Sequence, residues 1–552
     1  MTIPSEYHYI IIGGGIAGSV VASRLHERLP HLSILLIEAG PDVVNNPLVT
    51  EIKNAFDVVG SELDWSYSSV PQKHLNNRVS TSVAGKALGG GSAINYFGWV
   101  RGDASDYNAW GNLVGDPRWS YDGFLPYFRK IENYHTKDVD TSQHGYEGPM
   151  YTQSAASKNG GFPLRKQLFS AWESVGLKFN PDVNSGSPQG ICGIVDNLND
   201  GARQIASSVY PLSGVQVLTN TLAASILISS DGTIKTAKGV KLADGRVFTA
   251  TEEVILSAGA IATPQLLLLS GIGAAEDLTI HGIDQVVNAP EVGKNLHNHM
   301  CVSQWWELRH PEEGLAIGSP KFNYKLLEQG FAGDWNVVQT APHDGLKKAL
   351  AVDEDGVDDS HPLLSPPRSQ TESFMIYAAA NEADPVIAAD GSHVTITIMS
   401  MLPTSRGTVK LASSDPTAAP LFDPNYYATE ADRYVMRNAL RKMMHVMMNT
   451  KDGQAMLKGV ETVGQGRSPL SPESSDEEID KLVRERATGI SHSAGTAAMG
   501  KVVENNLHVH GVRGLRVVDA SIIPLPIAGH IQACVYALAE QAVDIIVGER
   551  SN

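Results

Sequence analysis

The sequence predicts a mixed α/β protein of two lobes, one of them Rossmann-like, with the other inserted into it. At 552 residues the chain exceeds the ~250–300 residues at which a single hydrophobic core stops growing. A continuous β-prone run, Tyr7-His8-Tyr9-Ile10-Ile11-Ile12, leads into glycines, a helical pattern through Val20, Val21 and Leu25, and a second apolar run ending at Glu38. Such a strand–helix–strand unit, apolar on both strand faces, builds a parallel sheet. Between Val302 and Leu411 aromatics, prolines and polar loops replace that spacing, which returns over residues 501–552.

Along the chain, residues 217–256 alternate β-like runs with turns at Asp231-Gly232 and Asp244-Gly245, the mark of a small antiparallel excursion. Val254 to Ala275 carries no charge and is about long enough to cross a bilayer. Pro264, Gln265, Ser270 and several glycines divide it into a buried strand, a turn and a short helix. In that helix Thr263 is the expected cap, Pro264 the first residue and Gly271 the residue just past the end. Residues 353–372, acidic and then rich in Pro and Ser, are expected to form a flexible loop and a candidate lid. Residues 429–449 and 474–487 read as helices, and a long helix from Ile531 to about Val547 is expected to close at Gly548.

Composition narrows the function. The net charge of −17 with no basic run excludes nucleic acid and an anionic membrane as partners. Cys192, Cys301 and Cys534 are too few and too scattered for a disulfide framework or a zinc site, and read as buried thiols. No basic-then-apolar leader precedes the first strand, so the cytoplasm is the expected compartment; a mature secreted chain would carry the same pattern.

Gly13-Gly14-Gly15-Ile16-Ala17-Gly18 places Gly-x-Gly-x-x-Gly directly after the first strand. Gly13 suits a tight turn, Gly15 a close backbone approach to a pyrophosphate, and Gly18 close helix–strand packing. The helix beyond offers free N–H groups to phosphates. Glu38, 20 residues after Gly18 and followed by Ala39, stands where an acid bonds ribose hydroxyls and disfavours a 2′-phosphate. A dinucleotide site follows, without a choice between FAD and NAD.

That choice comes from longer motifs. Gly85-Lys86-Ala87-Leu88-Gly89-Gly90-Gly91-Ser92-Ala93-Ile94-Asn95 resembles the first signature of the glucose–methanol–choline (GMC) flavoenzymes. The run from Gly259 through Pro264 to Gly273 resembles their second. Asp64-Trp65-Ser66-Tyr67, His144 to Pro149, Val292 to Leu296, His492 to Gly500 and Gly514 to Ser521 continue the likeness in order, from about residue 7 to 547. The resemblance implies FAD, held by Trp65, Leu88, Ser92, Asn95, Tyr96, Phe97 and Gly98 among others, with Asn95 and its neighbours along the isoalloxazine. Val217 would meet the adenine, Asp519 and Ala520 the pyrophosphate and ribityl chain, and Ile531, at the start of the last helix, the flavin. Ile94 stands where some relatives carry a histidine linked to the flavin, so FAD is expected to be non-covalent. Gly91 replaces a serine common in relatives.

The implied architecture is a Rossmann-like FAD-binding lobe over 1–150, 196–300 and 485–552. A substrate lobe built on an antiparallel sheet takes 151–195 and 301–484.

Oxidising an alcohol requires a base for the hydroxyl proton and the flavin N5 for the hydride. Histidine titrates close to working pH and suits the first task. Of 18 histidines the resemblance selects His492 and His530. Two imidazoles in one desolvated pocket do not readily share charge, so His492 is assigned as base and His530 as hydrogen-bond donor, the two being interchangeable on sequence alone. His297-x-His299 and His508-x-His510 read as loop and strand-end histidines, with no metal expected. Phe97, Trp99, Trp305 and Tyr377 are the expected pocket wall, favouring an apolar or aromatic alcohol. O₂ or another acceptor would complete turnover. The alternative is a flavin-bearing lyase or cyclase using the same histidines for acid/base work.

Overall fold

The computed structural model describes residues 3–154 and 161–551. Two seven-stranded sheets dominate it. In the first, strands Gln216–Leu218, Ile34–Ile37, Glu6–Ile12 and Val247–Leu256 lie side by side and parallel. The last of these is shared: its first half pairs antiparallel with Ile234–Leu242, and its second half pairs parallel with Leu515–Val517. Ala223–Asp231 completes the antiparallel excursion that the Asp-Gly turns announce. Ile10, Ile11, Leu35 and Leu36 are fully buried, as strands covered on both faces must be. Helices Ile16–Arg28 and Gln532–Ser551 pack together over this sheet.

The second sheet is antiparallel throughout, in the order Leu457–Glu461, Met300–Leu308, His393–Ser400, Thr371–Ile376, Trp335–Gln339, Gly190–Gly193, with Thr488–Gly489 against the start of Met300–Leu308. One face carries Val302, Trp306, Ile396 and Ile398 into a core with Met436, Met443, Met444 and Met447 of helix Glu430–Asn449. Alternation then turns Cys301, Ser303, Phe374, Thr397 and Met399 the other way. The protein is therefore a two-lobed α/β fold with a Rossmann-like sheet and an antiparallel one. Among the described residues no helix is long and apolar enough to cross a membrane.

Three local expectations are corrected. Helix Gly259–Leu269 starts earlier than a Thr263 cap would set it, so Pro264 lies inside it. Its N-terminus is capped instead by Asp519, whose Oδ2 accepts from Gly259 N at 2.9 Å and Thr263 Oγ1 at 2.6 Å. The C-terminal helix runs through Gly548 to Ser551, because Glu549 and Arg550 in its last turn pair with Arg516 and Glu252. Residues 353–372 are pinned down. Asp353 caps helix Glu430–Asn449, accepting from Glu430 N and Ala431 N, Leu364 packs on Leu346, Leu350 and Val435, and Arg368 meets Asp106 at 2.6 Å. The segment is a strap tied at Asp353, Leu364 and Arg368, with exposed stretches between those anchors.

Candidate active site

A cavity of about 630 Å³ runs between the two sheets. One end is made by Gly13, Gly15, Ile16, Ala17, Glu38 and Ala39, the middle by Trp65, Asn95, Tyr96, Phe97, Gly98, Asp519, Ala520 and Ile531, and the far end by His492, His530 and the exposed face of the antiparallel sheet. The glycine loop is tight for a stated reason. Gly13 has φ of +102°, and a Cβ on Gly18 would stand 1.9 Å from Gly13 O, so the helix can start only if both are glycine. Glu38 accepts from Gly14 N and Gly40 N, each at 2.8 Å, while burial pushes its carboxyl up to about 7 against those two donors.

Some expected contacts stand behind the cavity wall. Gly18 packs on Gly13, Leu88 lies against Gly14, and Ser92 Oγ bonds Gly89 O and Ala206 N. Val217 sits in an edge strand opposite Leu36, and Thr221, Leu222 and Ala223 line the cavity in its place.

At the far end the fold joins three histidines and one acid. His299 immediately precedes strand Met300–Leu308. Thr488–Gly489 pairs with the start of that strand, Ile490 N bonds His299 O, and the chain reaches His492 two residues later. His299 Nδ1 and His492 Nδ1 are 2.9 Å apart, and His492 N donates to Asn298 Oδ1 at 2.8 Å. His530 arrives just before the C-terminal helix, with its ring centroid 5.3 Å from that of His492. Its Nε2 meets Glu372 Oε1 at 2.9 Å. Gly98 makes room: a Cβ there would lie 2.2 Å from His530 Nδ1.

The electrostatics of the rings diverge. Burial, then the positive charge that would sit on His299 and His530, holds His492 well below the usual histidine range. Burial and His530 hold His299 down to about 3. Burial also opposes charge on His530, yet the Glu372 carboxylate and its hydrogen bond outweigh that and raise it. The site therefore favours two neutral imidazoles beside one imidazolium–carboxylate pair. Sequence reasoning weighed His299 only as a metal ligand, and it missed Glu372. The signal for Glu372 was a lone carboxylate in the otherwise uncharged strand Thr371–Ile376, which a buried strand keeps only with a partner.

The expected wall needs revision. Phe97 lines the cavity, but Trp99, Trp305 and Tyr377 do not. Trp99 donates to Glu132 at 2.9 Å in the core, Trp305 lies under the Arg486 guanidinium, and Tyr377 is buried against Phe162 and bonded to Asp334. Side chains that large fill the lobes. The wall is made by Ile194, Cys301, Ser303, Phe331, Asn336, Phe374, Ile376, Thr397 and Met399, supplied mainly by the sheet's alternation.

Family models of the GMC oxidoreductase N- and C-terminal parts match residues 7–301 and 403–539. The chain belongs to the GMC oxidoreductases. It is 39% identical to the GMC-type oxidoreductase acuG of Aspergillus aculeatus over 98% of this chain and 99% of that one. It is 32% identical to an alcohol dehydrogenase [acceptor] of Pseudomonas putida, over 98% and 96%. A solved formate oxidase of Aspergillus oryzae, studied for modification of its FAD, superposes with a TM-score of 0.88 at 27% identity over the whole of both chains. GMC oxidoreductases bind FAD and oxidise a donor with it, and the cavity fits that group. Gly91 and Gly259 both line it with no atom within 4 Å of where a Cβ would stand, which leaves bare backbone for a flat ring system and a phosphate chain.

Proposed function

We propose that this GMC oxidoreductase oxidises the CH–OH group of a neutral, largely apolar alcohol, with His492 as the base. One observation carries the reading: an imidazole kept neutral by burial, with Nδ1 tied to His299 and Nε2 unbonded among the described residues in the cavity wall. FAD bound in the cavity supplies the hydride acceptor, and O₂ or another small acceptor completes turnover. Ile94 gives the flavin no atom for a covalent bond, so the cofactor is held by contacts alone.

The ring tautomers follow from their partners. The Nδ1 atoms of His299 and His492 share one proton-mediated contact, and the base role requires that His492 carry that proton and His299 accept it. His492 then donates through Nδ1–H and keeps a lone pair on Nε2 for the substrate proton. His530, charged against Glu372, has Nδ1 without a partner among the described residues and offers N–H to the substrate oxygen as negative charge develops there. Among the described residues no lysine or arginine lines the cavity, which disfavours an anionic substrate.

Anaerobic mixing with a panel of alcohols tests the reading: bleaching of the flavin absorbance supports it. Product formed while the flavin stays oxidised would instead support lyase or cyclase chemistry. His492→Ala should slow flavin reduction by at least about a hundredfold, and an unchanged rate would remove His492 from the mechanism.

A further inference from the structure

We propose that Asn336 is a specificity-determining residue that binds a neutral hydrogen-bonding substituent at the end of the substrate opposite its carbinol. The preferred substrates are then bifunctional neutral alcohols with an apolar body, an inference that rests on the CH–OH reading above.

The sheet register places the residue. Glu372, which holds His530, pairs across the strands with Met399 on one side and Val338 on the other. Asn336 lies two residues from Val338 along strand Trp335–Gln339, so it shares the cavity-facing side and is the diagonal neighbour of Glu372. Diagonal neighbours in an antiparallel pair stand ~7–8 Å apart. Between and around the two lie Phe374, Ile376, Ile194 and Phe331, all apolar and all lining the cavity.

Asn336 is only 2% exposed, and its amide has no hydrogen bond among the described residues. Other polar groups of this wall are satisfied locally: Ser303 Oγ and Thr397 Oγ1 bond each other at 3.0 Å. The Asn336 amide opens onto the cavity, where a bound group supplies hydrogen bonds that the apolar wall around it does not. Apart from His530, whose charge Glu372 already balances, no cationic side chain among the described residues lines the cavity, so a carboxylate beside Asn336 would be desolvated without a counter-charge. A hydroxyl, carbonyl or ether oxygen matches an amide that both donates and accepts. Asn336 stands opposite Phe374 in the strand register and diagonal to the Glu372 that holds His530, so a substituted aromatic alcohol is the simplest probe of the pair.

The test reads binding without turnover. Dissociation constants of 4-hydroxybenzaldehyde and the near-isosteric 4-methylbenzaldehyde are taken from flavin difference spectra of the FAD-loaded enzyme, in mildly acidic buffer that keeps the phenol neutral. The hydroxy compound should bind about tenfold more tightly to the native enzyme. In Asn336→Leu that preference should vanish, with 4-methylbenzaldehyde within about twofold of its native affinity. Equal affinities in the native enzyme would overturn the proposal whether or not the variant folds, as would a preference that survives in Asn336→Leu. Failure of every alcohol to bleach the flavin sinks the CH–OH reading and leaves these affinities to decide Asn336 alone.

Discussion

A histidine that the fold keeps neutral makes folding sensitive to acid. His299 and His492 are depressed by burial below the ~6.5 of a free imidazole. Above that pH neither state binds a proton at these rings, and their contribution to stability is complete. As pH falls below it, the unfolded chain takes up protons that the folded chain refuses, and stability is lost at ~1.4 kcal/mol per pH unit and group. His530 has the opposite sign: Glu372 raises it, so its contribution is present below ~6.5 and fades as pH rises through its folded value. Denaturation at pH 5 should therefore show a penalty from His299 of roughly 2 kcal/mol relative to pH 8. His299→Asn should shallow the dependence of stability on pH in this range by about one proton. An identical slope in native and variant protein would mean that His299 is not the group held neutral.

At the scale of the element, Pro264 explains how the His492 loop is anchored. A proline inside a helix has no N–H for the carbonyl four residues back, here that of Ala260. Thr496, four residues after His492, donates its Oγ1–H to that carbonyl at 2.6 Å. The proline thus frees the acceptor that ties the His492 loop to helix Gly259–Leu269. Thr496→Val should cost ~1–2 kcal/mol. In a Pro264→Ala background, where a new N–H satisfies Ala260, the same change should cost less, and a double-mutant cycle on thermal unfolding measures the difference. Equal costs in both backgrounds would show that the bond is incidental. The sequence misplaced this helix start because residues 259–269 are almost wholly apolar, which leaves no polar face to mark where a helix begins. The strand–glycine–helix unit was legible because burial on both faces and the close Gly13–Gly18 approach each demand particular residue types in consecutive order. His299 and Glu372 were obscure for the converse reason. Their roles come from pairings with residues 193 and 158 positions away, which no local pattern encodes.

Across the whole molecule, the start of helix Ala104–Val114 joins distant segments through two buried acids. Asp106 accepts from Arg368 at 2.6 Å with one oxygen and from Ala528 N at 2.6 Å with the other, two residues before His530. Beside it Asp103 accepts from Ser369 N at 2.7 Å and Gln189 Nε2 at 2.6 Å. Burial pushes the Asp106 carboxyl up to about 6 even though Arg368 pulls it down, so the carboxylate depends on its guanidinium partner. This seam fastens the 353–372 strap to the approach of His530, and a loss of either charge should reach the active site. Arg368→Met strands a buried carboxylate and should destabilise the protein by on the order of 3–5 kcal/mol. Arg368→Met combined with Asp106→Asn removes the uncompensated charge and should recover much of that loss. Flavin release on heating follows the stability. The rate of flavin reduction by a good alcohol reports whether His530 has moved, and it should fall in the single variant more than in the double. If the double variant is as unstable as the single, the seam is held by packing and the ion pair is dispensable.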